Sequence, residues 1–260
     1  MSIIISAFPG MGKIHFIKSS KNLKVLDLNS VNYKYIKADL NKISGTRREY
    51  NPEFPNNYIE KLKEVISSAD APDIVFVPTH TEILNALEKN KIKYFIVYPA
   101  LNDKKDFITR YRSNGNSSKF IVNMESNWER FIDNIINETY PVHIKSKDIT
   151  PELVKSFGSY DEIISLSHSA AKLRKLDIVD TEKVNWSIIS RERKNWDDMD
   201  FAYKNYIDWD NLCKFGKVPE KIITNPAFSK YIVWGYLEKN KNKYSMKARK
   251  LISKHAQTHN

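Results

Sequence analysis

The period of the apolar positions changes along this chain. Over roughly its first 145 residues, short runs of consecutive apolar side chains alternate with stretches in which apolar positions recur every three or four residues. The runs at 2–8, 23–28, 73–77, 94–98 and 140–144 read as strands, three of them stopped by Pro9-Gly10, Pro78 and Pro99. Helices are expected over 14–20, over 57–67 with Tyr58, Leu62, Val65 and Ile66 toward the core, through Leu84 and Leu87, and over 103–112. A longer one follows, in which Phe120, Met124, Trp128, Phe131 and Ile135 share a face, and Trp128 is expected in the core. Apolar runs that do not alternate, separated by helices, imply a parallel sheet covered on both faces.

Beyond Thr150 the strand signals stop. Thr150-Pro151-Glu152 is a helix start, with a capping hydroxyl and a proline at the first helical position. Ile163, Leu166, Ala170 and Leu173 form a second helical stripe. Trp186, Trp196, Trp209 and Trp234 all fall in this part, which is expected to be mostly helical, with no internal repeat and no low-complexity linker. The expected division is an α/β domain at 1–148 and a helical domain at 149–260. Arg191, Arg193 and Lys194 interleave with Trp196, Tyr203, Tyr206 and Trp209 in a way that suits nucleic acid. Asp197, Asp198, Asp200, Asp208 and Asp210 lie in the same stretch and would repel a phosphate backbone. Aromatic residues at helical spacing read as core.

Charge adds a candidate partner. The formal net charge of +11 points to a polyanion such as nucleic acid or nucleotides, although Lys-, Asn- and Ile-rich usage also accompanies an AT-rich genome. From Lys239 onward there are seven cations and no acid, among them Lys243, Lys247, Arg249 and Lys250. Such a tail is either a phosphate-binding segment or a solvated, frayed end. Cys213 is the single cysteine, which excludes an intrachain disulfide and a four-thiolate metal site. His15, His143 and His168 have no partners at ligand spacing, and no protein-held metal is assigned. No apolar run approaches the ~20 residues that span a bilayer, and the first segment lacks the positive flank of a signal peptide. A cytoplasmic protein with no membrane partner is the expectation.

One motif carries chemistry. AFPGMGKI at 7–14 follows the first strand directly and opens a helix. A phosphate-binding loop wants Gly, four residues, Gly, Lys, then Ser or Thr. Glycines let backbone N–H groups approach phosphate oxygens, the helix start adds partial positive charge, the lysine reaches the β- and γ-phosphates, and the hydroxyl ligates Mg²⁺. Pro9, Gly10, Met11, Gly12 and Lys13 meet this pattern. Ala7 stands in place of the first glycine, and Ile14, which cannot ligate a metal, in place of the hydroxyl residue. Any Mg²⁺ would depend on phosphates, waters and Asp27.

Taken in order, AFPGMGK at 7–13, VLDLNS at 25–30, YNPEFPNNY at 50–58, DIVFVPTH at 73–80, VYP at 97–99 and FITRYR at 107–112 resemble bacteriophage P-loop kinases of the nucleoside-monophosphate-kinase type. The phage 5-hydroxymethyluracil DNA kinases belong to the same broad group. The resemblance covers residues 3–149. It implies a P-loop NTPase-like parallel sheet flanked by helices, ATP and Mg²⁺ as cofactors, and the cytoplasm of an infected bacterium as the setting. It further implies that Gly10, Gly12 and Lys13 hold the donor phosphates and that Asp27 accepts the substrate proton or orients magnesium. Arg48 would pair with a substrate phosphate, and Arg110 and Arg112 would neutralise the transferring group. No acid stands after Val77, where a second magnesium ligand is usual.

Two classes stay open. One is a kinase acting on a nucleotide or a modified DNA base. The other is a degenerate P-loop protein that works by binding nucleic acid or a host or defence protein.

Overall fold

The computed structural model describes residues 2–36, 49–173, 176, 181, 183–196, 199–216 and 218–258. The chain divides into two compact units, one of residues 1–99, 109–117 and 133–157, the other of 100–108, 118–132 and 158–260. No helix among the described residues is long and apolar enough to cross a membrane.

The first unit is built on β1 (Ile3–Ala7), β2 (Val25–Asp27), β3 (Ile74–Val77), β4 (Phe95–Tyr98) and β5 (Val142–Lys145). The strands form one sheet in the order β2-β3-β1-β4-β5, with every pairing parallel. The five expected strands are all present, each starting one or two residues later than expected, and β5 running one residue further, to Lys145. β3 and β4 are buried at every position, which is why their sequences do not alternate. The first unit also contains α1 (Lys13–Ser19), α2 (Val31–Lys34), α3 (Asn56–Ser67), α4 (Thr81–Lys89) and α7 (Pro151–Lys155), while α5 (Lys104–Ser113) and α6 (Ser118–Asn137) are each divided between the units. α3 turns Tyr58, Ile59 and Leu62 inward, while Val65 and Ile66, expected beside them, are only half-buried. α7 starts as expected, with Thr150 Oγ1 accepting from Leu153 N at 3.1 Å. Trp128 of α6, in the stretch that belongs to the second unit, is buried, its indole donating to Leu101 O at 2.8 Å.

Strand order positions the site. β1 is central, and its connection leads to β2 at one edge, whereas that of neighbouring β4 leads to β5 at the other. In open parallel sheets, ligands bind outside the carboxyl ends of strands whose connections part in this way. Residues 8–12 leave β1 there.

The second unit contains α8 (Tyr160–Lys172), α9 (Trp186–Glu192), α10 (Trp209–Phe215), α11 (Glu220–Ile223), α12 (Trp234–Lys239) and α13 (Met246–Thr258). In α8 the buried residues are Ser167, Ala170 and Ala171, with Leu166 39% exposed, so the expected stripe is rotated by about one residue. Ser167 takes the inward place because its Oγ accepts from Asn185 N at 2.6 Å.

An internal repeat, not expected from the sequence, organises this unit. α9, α10 and α12 each begin with a tryptophan whose indole N–H donates to the carbonyl five residues earlier: Trp186 to Thr181, Trp209 to Lys204, and Trp234 to Ser229, at 3.2, 2.8 and 3.2 Å. Three residues into each helix an aliphatic side chain (Ile189, Leu212, Leu237) is fully buried. Asn185 and Asp208 cap the first two helices through their side chains. Each tryptophan then lies against rings placed six and three residues before the next one: Trp186 on Tyr203 and Tyr206, and Trp209 on Phe228 and Tyr231. Trp234 stacks on His255 of α13, which closes the series. Every unit thus covers its neighbour, as in other repeat arrays.

Candidate functional site

The loop after β1 is held by its carbonyls. Phe8 N donates to Val97 O at 3.0 Å and Met11 N to Phe8 O at 3.3 Å, which turns the chain away from the sheet. Gly10 and Gly12 have φ of 82° and 84°, a region that side chains with a Cβ avoid. A Cβ on Gly12 would meet Asp148 Oδ1 at 3.5 Å, an ordinary contact, so the backbone angle and not space calls for glycine. Met11 is fully buried, as is Phe16 of α1, which packs edge-on to Phe76 at 5.4 Å. Three successive carbonyls are taken by the protein itself: Pro9 O accepts from the Tyr111 hydroxyl at 2.8 Å, Gly10 O from Arg110 Nη1 at 2.7 Å, and Met11 O from Ile149 N at 2.8 Å.

With the carbonyls turned inward, the N–H groups are left for something else. Among the described residues, the amides of Gly10, Gly12, Lys13 and Ile14 meet no protein acceptor. Consecutive amides of this kind at a helix start form an anion-binding concavity.

The charges around the loop are arranged in two pairs. Lys13 Nζ lies 2.9 Å from Asp27 Oδ1, with 26% and 33% of the two side chains exposed. Arg110 Nη1 donates to Asp148 Oδ1 at 2.8 Å and to Lys147 O at 2.9 Å, and Nη2 to Asp148 Oδ2 at 3.3 Å. Lys13 and Asp27, each singled out in the sequence for its own role, are thus neighbours in space. Arg110 is also brought to the loop, but as a brace gripping a loop carbonyl and a carboxylate. Asp148 and Tyr111 were missed by sequence reasoning, since nothing local marks either as a loop partner. Burial raises the Tyr111 phenol pKa, with Arg110 opposing, and also raises that of Tyr58, with Asp27 adding to the effect.

Arg112 is solvent-exposed at the end of α5, and Arg48 lies outside the described residues. Ile14 is 70% exposed and brings no oxygen to the loop. No group of three or more His, Cys, Asp or Glu is placed to hold a metal among the described residues. The carboxylates at the loop, Asp27 and Asp148, both face cations. Any magnesium here would take most of its oxygens from phosphate and water, as the ion tolerates.

In the second unit, Lys243, Lys247, Arg249 and Lys250 are all exposed. The segment carrying them is no frayed end, since Tyr244, Ala248 and Ile252 are buried under it. Arg249 Nε donates to Tyr244 O at 2.7 Å. Arg193, offered by the sequence beside Lys194 as a phosphate ligand, is buried instead. It donates to Asp200 Oδ2 through Nε at 3.0 Å and Nη2 at 2.8 Å, and caps α8 through Leu173 O. No protein-family model matches the chain, and no curated protein does.

Proposed function

We propose that the first unit is a phosphate-binding P-loop module and that the protein transfers the γ-phosphate of ATP to a nucleotide or a modified DNA base. The observation that carries this reading is the loop at Gly10–Lys13. Two glycines in left-handed backbone conformation, three carbonyls bonded within the protein and four amides without acceptors among the described residues stand at the carboxyl end of the central strand, beside a lysine. The amides would cradle the donor phosphates, and Lys13 would exchange Asp27 for a phosphate oxygen. Asp27, once released, would orient magnesium or take the acceptor proton. Arg110 would hold the loop from beneath, while Arg112 and Arg48 would supply charge toward the transferring group and the acceptor. Mg²⁺, when bound, would supply neutralisation of the phosphate charge.

Ile14 favours the second reading, a degenerate P-loop that binds without turnover and acts on nucleic acid or a host or defence protein. Labelled-phosphate transfer from ATP to a panel of nucleotides and hydroxymethylated DNA separates the two. Transfer by wild type that is lost in Lys13→Ala, at unchanged melting temperature, supports the kinase. Absence of transfer, with ATP binding that Lys13→Ala removes, leaves the binding reading. ATP affinity equal in wild type and Lys13→Ala would reject both.

A further inference from the structure

The helical repeat places a cation at the same position of every unit. Five residues after the anchoring tryptophan stand Arg191, Lys214 and Lys239. Between them lie rings: the Arg191 guanidinium is 4.9 Å from the Phe215 centroid, Lys214 Nζ is 5.3 Å from Phe215 and 5.4 Å from Tyr236, and Lys239 Nζ is 5.7 Å from Tyr236. The result is one row across α9, α10 and α12 in which cation and ring alternate. Helices packed side by side are ~8–10 Å apart, which sets the spacing of its charges.

The row is built with some care at Arg191. Asn211 Oδ1 accepts from its Nε at 3.2 Å and its Nη2 at 3.1 Å, Asn211 Nδ2 donates to Asp208 Oδ2 at 2.9 Å, and the Ser187 hydroxyl donates to the same oxygen. Asn211 and Asp208 are buried. Phe215, in contrast, is 39% exposed. Together with Lys172, Lys194, Lys243 and one acid, Glu192, whose Oε2 lies 2.8 Å from His168 Nδ1, Arg191 and Phe215 line a cleft of about 860 Å³. Of the acids that count against nucleic acid in the sequence, the three among the described residues, Asp200, Asp208 and Asp210, are all buried. Asp200 is buried against Arg193, Asp208 is the cap of α10, and Asp210 is 2% exposed.

We infer that this row is a binding surface for single-stranded nucleic acid, with phosphates on Arg191, Lys214 and Lys239 and an unpaired base stacked on Phe215. An exposed ring between cations in a positive groove is the arrangement that suits a strand whose bases are open, whatever their sequence. An acidic protein segment would use the charges but gain nothing from the face of the ring. A duplex keeps its bases stacked on one another and away from it. The inference does not rest on the loop at Gly10–Lys13.

Fluorescence anisotropy of a labelled oligothymidylate with the full chain, titrated over a range of salt, tests it. Arg191→Gln/Lys214→Gln/Lys239→Gln should make the dependence of log affinity on log salt shallower by roughly 0.7 per lost contact, about 2 for the three. Phe215→Leu keeps an apolar side chain but loses the aromatic face. It should weaken binding roughly 5- to 140-fold with the slope unchanged. Lys13→Ala should bind the oligonucleotide as wild type does, whatever happens to ATP. If the triple variant loses its cooperative melt, Lys239→Gln and Phe215→Leu, both at exposed positions, carry the test alone. A salt slope unchanged by removing the cations, equal affinity for a duplex of the same length, or competition by polyglutamate as effective as by the unlabelled strand would each overturn the proposal.

Discussion

Replacing Asp27 by Asn separates the two things this carboxylate can do. In the structure it holds the Lys13 ammonium at 2.9 Å, and roughly a quarter to a third of each side chain is open to water. An ion pair so exposed is worth about 0.2–1 kcal/mol. On the proposed function Lys13 gives it up to reach a phosphate, so its removal should tighten ATP binding in the absence of metal by about 1.4- to 5-fold. The lost negative charge beside an incoming polyphosphate acts in the same direction. Transfer should move the other way. If Asp27 orients magnesium or accepts the proton, its amide removes an electrostatic contribution of about 2.7–4 kcal/mol, or roughly 10²- to 10³-fold in rate. Calorimetry of ATP binding in EDTA and labelled-phosphate transfer with Mg²⁺ read the two effects separately. The expected result is opposite movement of affinity and rate. Weaker metal-free binding in Asp27→Asn would show that the carboxylate supports the site instead of competing for Lys13. A transfer rate equal to wild type would remove Asp27 from the chemistry.

Ile14→Thr restores a hydroxyl at a 70% exposed position, so its stability should stay within about 0.5 kcal/mol of wild type while transfer rises by up to about 10²-fold. A variant no faster than wild type, at equal melting temperature, would refute a role for residue 14 in transfer. Trp209→Ala removes a buried ring that stacks on Tyr231 at 5.5 Å, and should cost about 3–5 kcal/mol in urea unfolding. A loss below about 1 kcal/mol would mean that neighbouring repeats do not rest on one another. Alkaline pH should also destabilise the fold. Burial raises the phenols of Tyr58 and Tyr111 and pushes Tyr244 up to about 12, above the ordinary 10.0. The unfolded chain therefore loses these protons first, and stability present below pH 10 falls as pH rises beyond it. Tyr244→Phe should lose less stability than wild type between pH 8 and 11, and equal losses would refute the assignment.

The sequence by itself determined whatever depends on neighbours along the chain. Uninterrupted apolar runs such as IVFV at 74–77, closed by prolines, define strands buried on both faces, and hence a parallel sheet. Gly10 and Gly12 between a strand and a lysine mark a loop whose amides can turn outward, and Thr150-Pro151 marks a helix start. In the second half, the spacing of the tryptophans was enough to place them in a core. It was not enough to show the repeat, because its units share little beyond the tryptophan, an aliphatic residue three places on and a cation five places on. Their kinship lies in an indole bonded to a carbonyl and a ring from the next unit, which are contacts and not local composition.

Tertiary structure alone decided which charges meet. Arg110 and Asp148 are far apart in the chain and join at the loop, where the arginine also binds the Gly10 carbonyl. Arg193, next to exposed Lys194, goes inward because Asp200 and the open carbonyl of Leu173 satisfy it there. An arginine reads the same in sequence whether it is solvated or buried. The difference is made by acceptors that only folding brings within hydrogen-bond distance, since a buried cation without them would cost more than the fold could supply.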